Sequence, residues 1–256
     1  MPHTHFTPLE LCALCEKHPP VRNSHLLPNF LFKRLRGEQG HFHAASAPKK
    51  PLQAGPTASM LCFNCEQMFS KWEGFAKQCF FPEGTPAKLP IKYGTWLQLF
   101  ATSISWRALT YLKFSTRNPY VALADPAQRL LPSLSEKHHQ VAELLRTQWA
   151  ASLLDERAPT SQMDQHFVFL SGKTFPGEHH GIVGFTVCET DLLACVFSQL
   201  GPVCVVATLH DQKPHLWKNT RIHSLGGKFH VTPQWLPPEF GTWLENYFSE
   251  IAQIEA

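Results

Sequence analysis

Leu11-Cys12-Ala13-Leu14-Cys15 and Leu61-Cys62-Phe63-Asn64-Cys65 are one local pattern written twice: a leucine, then two cysteines separated by two residues. A Cys-x-x-Cys pair at a tight turn lets both sulfurs reach one ion. Two such pairs complete a tetrahedron with Zn–S distances of about 2.3 Å. Cys12, Cys15, Cys62 and Cys65 are therefore expected to hold one Zn²⁺, the alternatives being unrelated buried cysteines or redox pairs. Four thiolates leave no open position for water, so the zinc is expected to be structural. The other four cysteines, Cys79, Cys188, Cys195 and Cys204, stand alone in apolar surroundings and read as small buried hydrophobes.

Around the knuckles the chain divides into three parts. Residues 1–82 form the zinc-binding unit, with a short basic helix from Asn29 to Arg36 and a Gly, Ala, Pro, Ser and Lys-rich flexible insertion over 37–59. Closing so long a loop is tolerable, because its entropy grows only logarithmically. The second knuckle runs into a helix over 61–80, where Met68, Trp72, Phe75 and Cys79 are spaced to face a core. Glu66, Ser70, Glu73 and Lys77 fall on another face. Residues 83–156 are helical: Thr95 to Phe114, then a helix from Ser133 with a Ser-x-x-Glu capping box, turning Val141, Leu144, Leu145 and Leu153 inward.

Residues 157–256 change period. HFVFLS, GIVGFTV, LLACVFS, VCVVATLH and KFHVT read as strands, with a turn at Leu200-Gly201-Pro202. Pro237 and Pro238 precede a closing amphipathic helix carrying Phe240, Trp243, Leu244, Tyr247, Phe248 and Ile251. The fold class is α+β: an N-terminal zinc-stapled ββα-metal, treble-clef-like unit with helices, then a mainly β C-terminal part.

The 256 residues are 43% apolar and carry a formal charge of +3, which suits a globular chain and would not alone indicate a nucleic-acid partner. The opening MPHTHFTPLELC has no basic stretch followed by an apolar core, and no run approaches the roughly 18 apolar residues of a membrane span. A soluble, cytoplasmic protein with no membrane partner is expected, and in a reducing compartment disulfides are not.

Between the knuckles lies Ser24-His25-Leu26-Leu27-Pro28. Cys-x-x-Cys, then His-x-x-Pro, then Leu-Cys-x-x-Cys entering a helix resembles the HNH nucleases of the His-Me finger group, over residues 11–80. The layout is also similar to that of uncharacterised bacterial proteins. The resemblance implies that His25 is the general base acting on water and that a divalent ion, Mg²⁺ or Mn²⁺, holds the scissile phosphate. It places Ser24 where the family commonly has an acidic residue or His, and Glu66 where it commonly has a His metal ligand. A carboxylate there suits Mg²⁺, which prefers oxygen. The family's Asn before the second knuckle has no match among Pro56 to Met60, and Asn64 is not equivalent. Glu73, two turns beyond Glu66, is a further candidate.

Two readings follow. One is a metal-dependent DNA endonuclease, in restriction or anti-phage defence by family analogy, with DNA as partner and a possible protein partner on the C-terminal domain. The other is a catalytically inactive, zinc-stabilised module that binds nucleic acid or protein. Lys33, Arg34, Arg36, Lys49 and Lys50 cluster near His25 in the chain, and Lys71 and Lys77 follow on the helix. Arg107, inside an apolar segment, is expected to pair with a carboxylate of the zinc domain. His138-His139 and His179-His180 lack partners at ligand spacing. Trp217 to Arg221 with Gly226-Gly227-Lys228 reads as a basic loop or a hairpin turn.

Overall fold

A computed structural model describes residues 9–36, 42–44, 47–52, 54–82, 90–114, 134–157, 164–170, 183–229 and 234–255. His179, His180 and Ser133 lie outside them. The fold is α+β.

The unit that carries the two cysteine knuckles is small. Strand β1 (Ser24–His25) pairs antiparallel with β4 (Thr57–Ala58), in the register Ser24↔Ala58 and His25↔Thr57. Between them come helix α1 (Asn29–Arg36) and a hairpin of β2 (Phe42–Ala44) and β3 (Ala47–Leu52). The interval 37–59 thus contains paired strands where composition alone reads as loop. Backbone pairing supplies the order that apolar periodicity does not. Gly55 closes this interval on α1: a Cβ there would sit 2.1 Å from the Phe32 ring, so only glycine allows the approach.

Helix α2 (Phe63–Phe80) follows with Cys62 as N-cap. Its buried face is Cys65, Phe69, Trp72, Ala76 and Phe80. Phe75 is half exposed and packs on Trp96, while Met68 and Cys79 lie at the core's edge. The apolar stripe is therefore rotated from the expected one, because Phe69, Ala76 and Phe80 extend it on the other side.

Strand β5 (Ile91–Tyr93) leads into α3 (Thr95–Phe114). Every residue of α3 from Leu97 to Tyr111 is buried. A helix apolar all round must be enclosed on all sides, and α3 is: by α2, by α4 (Glu136–Leu154), and by a four-stranded sheet. In α4, Leu145 and Leu153 point inward as expected, but Leu144 is 58% exposed. Its N-cap is Ser135, whose N–H donates to Glu189 Oε2 at 2.6 Å in place of a capping box.

The sheet joins β6 (Gln165–Phe169), β7 (Val183–Glu189), β8 (Leu193–Leu200) and β9 (Val203–Asp211) in the antiparallel order β6-β9-β8-β7. The turn between β8 and β9 uses Gly201 at φ +70°, a conformation glycine adopts without a Cβ penalty. Along β9, Val203, Val205, Ala207 and Leu209 face the helices; Cys204 and Val206 face the other way. That second face is covered by α5 (Pro238–Glu255) through Phe240, Leu244 and Phe248. Both faces are dry, which is why these strands read as unbroken apolar runs. Strand β10 (Gly227–Phe229) pairs with β5, tying the C-terminal part to the segment ahead of α3.

Candidate metal centre and the adjoining acid–base cluster

The four knuckle sulfurs all lie within 4.8 Å of one another. A ZnS₄ tetrahedron with arms of about 2.3 Å has edges near 3.8 Å; Cys15 Sγ and Cys62 Sγ are 3.7 Å apart. The thiols are unbridged, and Cys12, Cys62 and Cys65 are buried. The four cysteines thus form a group that can hold a metal ion such as zinc.

Local backbone explains the gathering. Cys12 N–H donates to His18 O at 2.7 Å, Glu16 N–H donates to Cys12 O at 2.9 Å, and Glu16 turns the chain at φ 54°. Ala13 N–H donates to Met60 O and Val21 N–H to Leu61 O, which stitches the first knuckle to the approach of the second. Cys62 and Cys65 occupy the N-cap and third position of α2, where free backbone N–H groups and the helix dipole favour thiolate. Hydrogen bonding from Cys65 holds the Cys12 thiol down at about 4 against the effect of burial. The same bond, together with burial, pushes Cys65 up. A bound cation would let both deprotonate.

Next to this cluster, β1 and α2 bring Ser24, His25, Glu66 and Glu73 toward Arg107 of α3. Ser24 is fully buried; its Oγ donates to Leu61 O at 3.1 Å and accepts from Leu61 N–H at 3.0 Å. His25 Nδ1 is buried with no hydrogen-bond partner, and so is Glu66 Oε1. Burial pulls the His25 imidazole below its ordinary pKa; Glu73 opposes this, and Arg107 and Lys33 reinforce it. Burial pushes the Glu66 carboxyl up, with Arg107 and the Ser24 hydroxyl pulling back.

Arg107, 1% exposed, is the hub. Its Nη2 donates to Glu73 Oε1 at 2.6 Å, its Nη1 to the His25 carbonyl at 3.1 Å, and its Nε to Ser103 O at 3.3 Å. The guanidinium carbon stands 5.1 Å from the Phe69 ring centroid. The expected carboxylate partner is thus Glu73, whose Oε1 is engaged by this pair. That Arg107 also grips the backbone of His25 was not legible, since 82 residues separate them.

The remaining candidates disperse. Lys33 and Arg34 are exposed, Arg34 Nη1 donating to Pro82 O at 3.4 Å. The side chains of Lys49 and Lys50 are not among those described. Lys71 pairs with Glu156 at 3.3 Å. His138 Nδ1 bonds Glu189 at 2.8 Å and its ring stacks on His210, which reads as a clasp between α4 and β7. Cys188, Cys195 and Cys204 are buried in the sheet as expected. No helix among the described residues is long and apolar enough to cross a membrane.

Comparison of the chain with protein-family models, with curated proteins and with solved structures returned no match.

Proposed function

We propose that the N-terminal unit is a metal-dependent HNH-type DNA endonuclease that hydrolyses phosphodiester bonds with His25 as general base. One observation carries this reading: two buried, unpartnered acid–base atoms, His25 Nδ1 and Glu66 Oε1, in one charged cluster beside a four-cysteine metal centre. An unpaired buried polar atom costs about 1–3 kcal/mol, and two of them on ionisable side chains in one cluster call for a shared partner such as an ion or a water. The strand–strand–helix order of β1, β4 and α2 is also the order that the HNH likeness implies.

His25 must be neutral to take a proton from water, and its burial favours the neutral ring at neutral pH. Arg107 fixes the backbone at His25, so the imidazole is presented from a restrained position. Glu66 offers an unused carboxylate oxygen, which fits an oxygen-preferring divalent ion. When bound, Mg²⁺ or Mn²⁺ supplies charge neutralisation at the phosphate and the leaving oxygen. Ser24 keeps one lone pair after its two bonds to Leu61 and stands next in line as a ligand.

The second reading, a zinc-stabilised binding module without catalysis, draws on that same Ser24, whose hydroxyl is already occupied in holding the second knuckle. Purified protein, incubated with supercoiled plasmid and Mg²⁺, Mn²⁺ or no added divalent ion beside His25→Ala, separates them. The nuclease reading expects metal-dependent nicking that His25→Ala loses while retaining zinc and fold. Binding by both proteins with no cutting under any metal rejects it.

A further inference from the structure

Away from the cysteine centre, the β5–β10 ribbon carries an arrangement that costs stability. Lys228 stands directly opposite Lys92 in the ladder, and both are exposed. Directly opposed residues share a face, and like charges there repel. Beside Lys228 opens a cavity of about 150 Å³ lined by Tyr93, Asn219, Arg221, His223, Lys228 and Phe229.

Its shape is built by the backbone. Gly226 turns at φ +91° and Gly227 lies so close to Tyr93 that a Cβ would meet the phenol oxygen at 2.8 Å. The Tyr93 hydroxyl accepts from His223 N–H at 3.2 Å, and its ring stacks on Phe229 at 4.7 Å. One wall is thus aromatic, and Asn219, Arg221, His223 and Lys228 complete the lining. Arg221 pairs with Asp164 at 2.5 Å, yet its side chain remains 57% exposed. Continuing along the chain, Lys218 bridges through its backbone to Trp235, whose indole is 49% exposed with the Lys218 ammonium 5.8 Å from its centroid.

We propose that this surface, from Lys92 and Lys228 across the cavity to Lys218 and Trp235, binds a single-stranded nucleic-acid segment. Phosphates sit against Lys228, Arg221 and His223, and one base stacks on Trp235. The inference explains three features together. An anion between Lys92 and Lys228 relieves their repulsion. Among the described residues, the cavity is lined by no carboxylate and by Lys228, His223 and Arg221; Arg221 is paired with Asp164 yet half exposed, so Lys228 is the lining cation without a carboxylate partner, a setting that suits phosphate. An exposed indole beside cations is the combination that holds unpaired bases without regard to sequence. The proposal deepens the nuclease reading by naming how a strand is held, but its test needs no cleavage.

The probe is a fluorescein-labelled oligothymidylate, titrated by anisotropy in chelator-free buffer with no added Mg²⁺ or Mn²⁺, with the intact chain carrying His25→Ala. Compared on that background are Lys92→Gln with Lys228→Gln, and Trp235→Ala. Expected is a fall in the salt slope of log affinity by about 0.7 for each lysine that meets a phosphate. Trp235→Ala is expected to bind roughly tenfold more weakly with its slope unchanged. Thermal melting should show the double lysine variant at least as stable as its parent, since a repulsion is removed. An unchanged slope and affinity in these variants overturns the proposal, as does a parent that fails to bind at low salt. Equal loss for a duplex of the same length overturns the single-strand assignment. A protein that cuts plasmid yet shows no effect of these variants sinks this inference alone; one that binds as described yet never cuts sinks the nuclease reading alone.

Discussion

The knuckle unit and the four-stranded sheet are held together by different means. In the sheet, β8 is buried from Leu193 to Leu200, and its Phe197 meets Phe240, Trp243 and Tyr247 of α5. That is ordinary hydrophobic burial on two faces. The knuckle unit has four short strands and two helices; it gathers four cysteines and two orphaned polar atoms and lies against the buried Arg107 of α3. The unit also buries Leu26, Leu27, Phe32, Met60, Leu61 and Phe69 in the main core, so its polar groups are set into apolar packing. The lesson is one of composition: the α5 side of the sheet is closed by apolar and aromatic side chains, whereas the knuckle unit combines apolar burial with the four cysteines and the unpaired polar atoms.

Stripping any metal that the four cysteines hold tests this contrast most severely. Structural zinc contributes about 10–16 kcal/mol in small metal-folded peptides. Chelation, or Cys62→Ser, should therefore unfold residues 9–82 while amides of β8 and β9 stay protected in hydrogen exchange. Uniform loss of protection would mean that the two regions are not separable. Next come two buried substitutions, one in the sheet and one on α3 where it grips the knuckle unit. Phe197→Ala should cost about 3–5 kcal/mol by cavity formation. Arg107→Met should cost a similar 3–5 kcal/mol, because it strands Glu73. The difference lies in rescue: adding Glu73→Gln should recover a large part of the second loss in urea melts, whereas no polar change rescues the first.

Acid sharpens the contrast further. Burial, aided by the Arg221 charge, lowers His166 from 6.5 to about 3. The folded state then binds fewer protons than the unfolded one between those values. Its contribution is fully present above pH 6.5 and is lost as pH falls toward 3. At about 1.4 kcal/mol per unit of separation, the loss reaches a few kcal/mol. Replacing His166 by Phe should flatten the pH dependence of sheet stability in that window. Acid release of any metal held by the four cysteines should continue regardless. The smallest effect expected is for Lys71→Ala: its partner Glu156 is 48% exposed and the lysine 61%, so a change under about 1 kcal/mol is anticipated.

The paired knuckles, the full span of α3, the strand set and the closing helix were legible because each rests on local spacing: Cys-x-x-Cys, 3.6-residue periodicity and bounded apolar runs. The rotated stripe of α2 was not, since Phe75 and Phe69 are equally apolar and only the packed partners choose between them. Strands β2 and β3 were hidden because Ala47–Leu52 has two prolines and no alternation. The gathering of His25, Glu73 and Arg107 joins residues 34 and 82 positions apart, a distance at which no local signal operates. The cavity at Tyr93 is similar: its hydroxyl meets a backbone amide 130 positions later.

Helix α3 has one more consequence, in the order of synthesis. It is complete at Phe114, but the strands that enclose it span residues 165–211. A ribosome emits the knuckle unit and this apolar helix well before their cover exists. During that interval the growing chain presents a greasy surface with nothing to hide it. Slow passage through the intervening codons should therefore lengthen exposure to aggregation, and early capture by a holdase should raise the yield of folded protein.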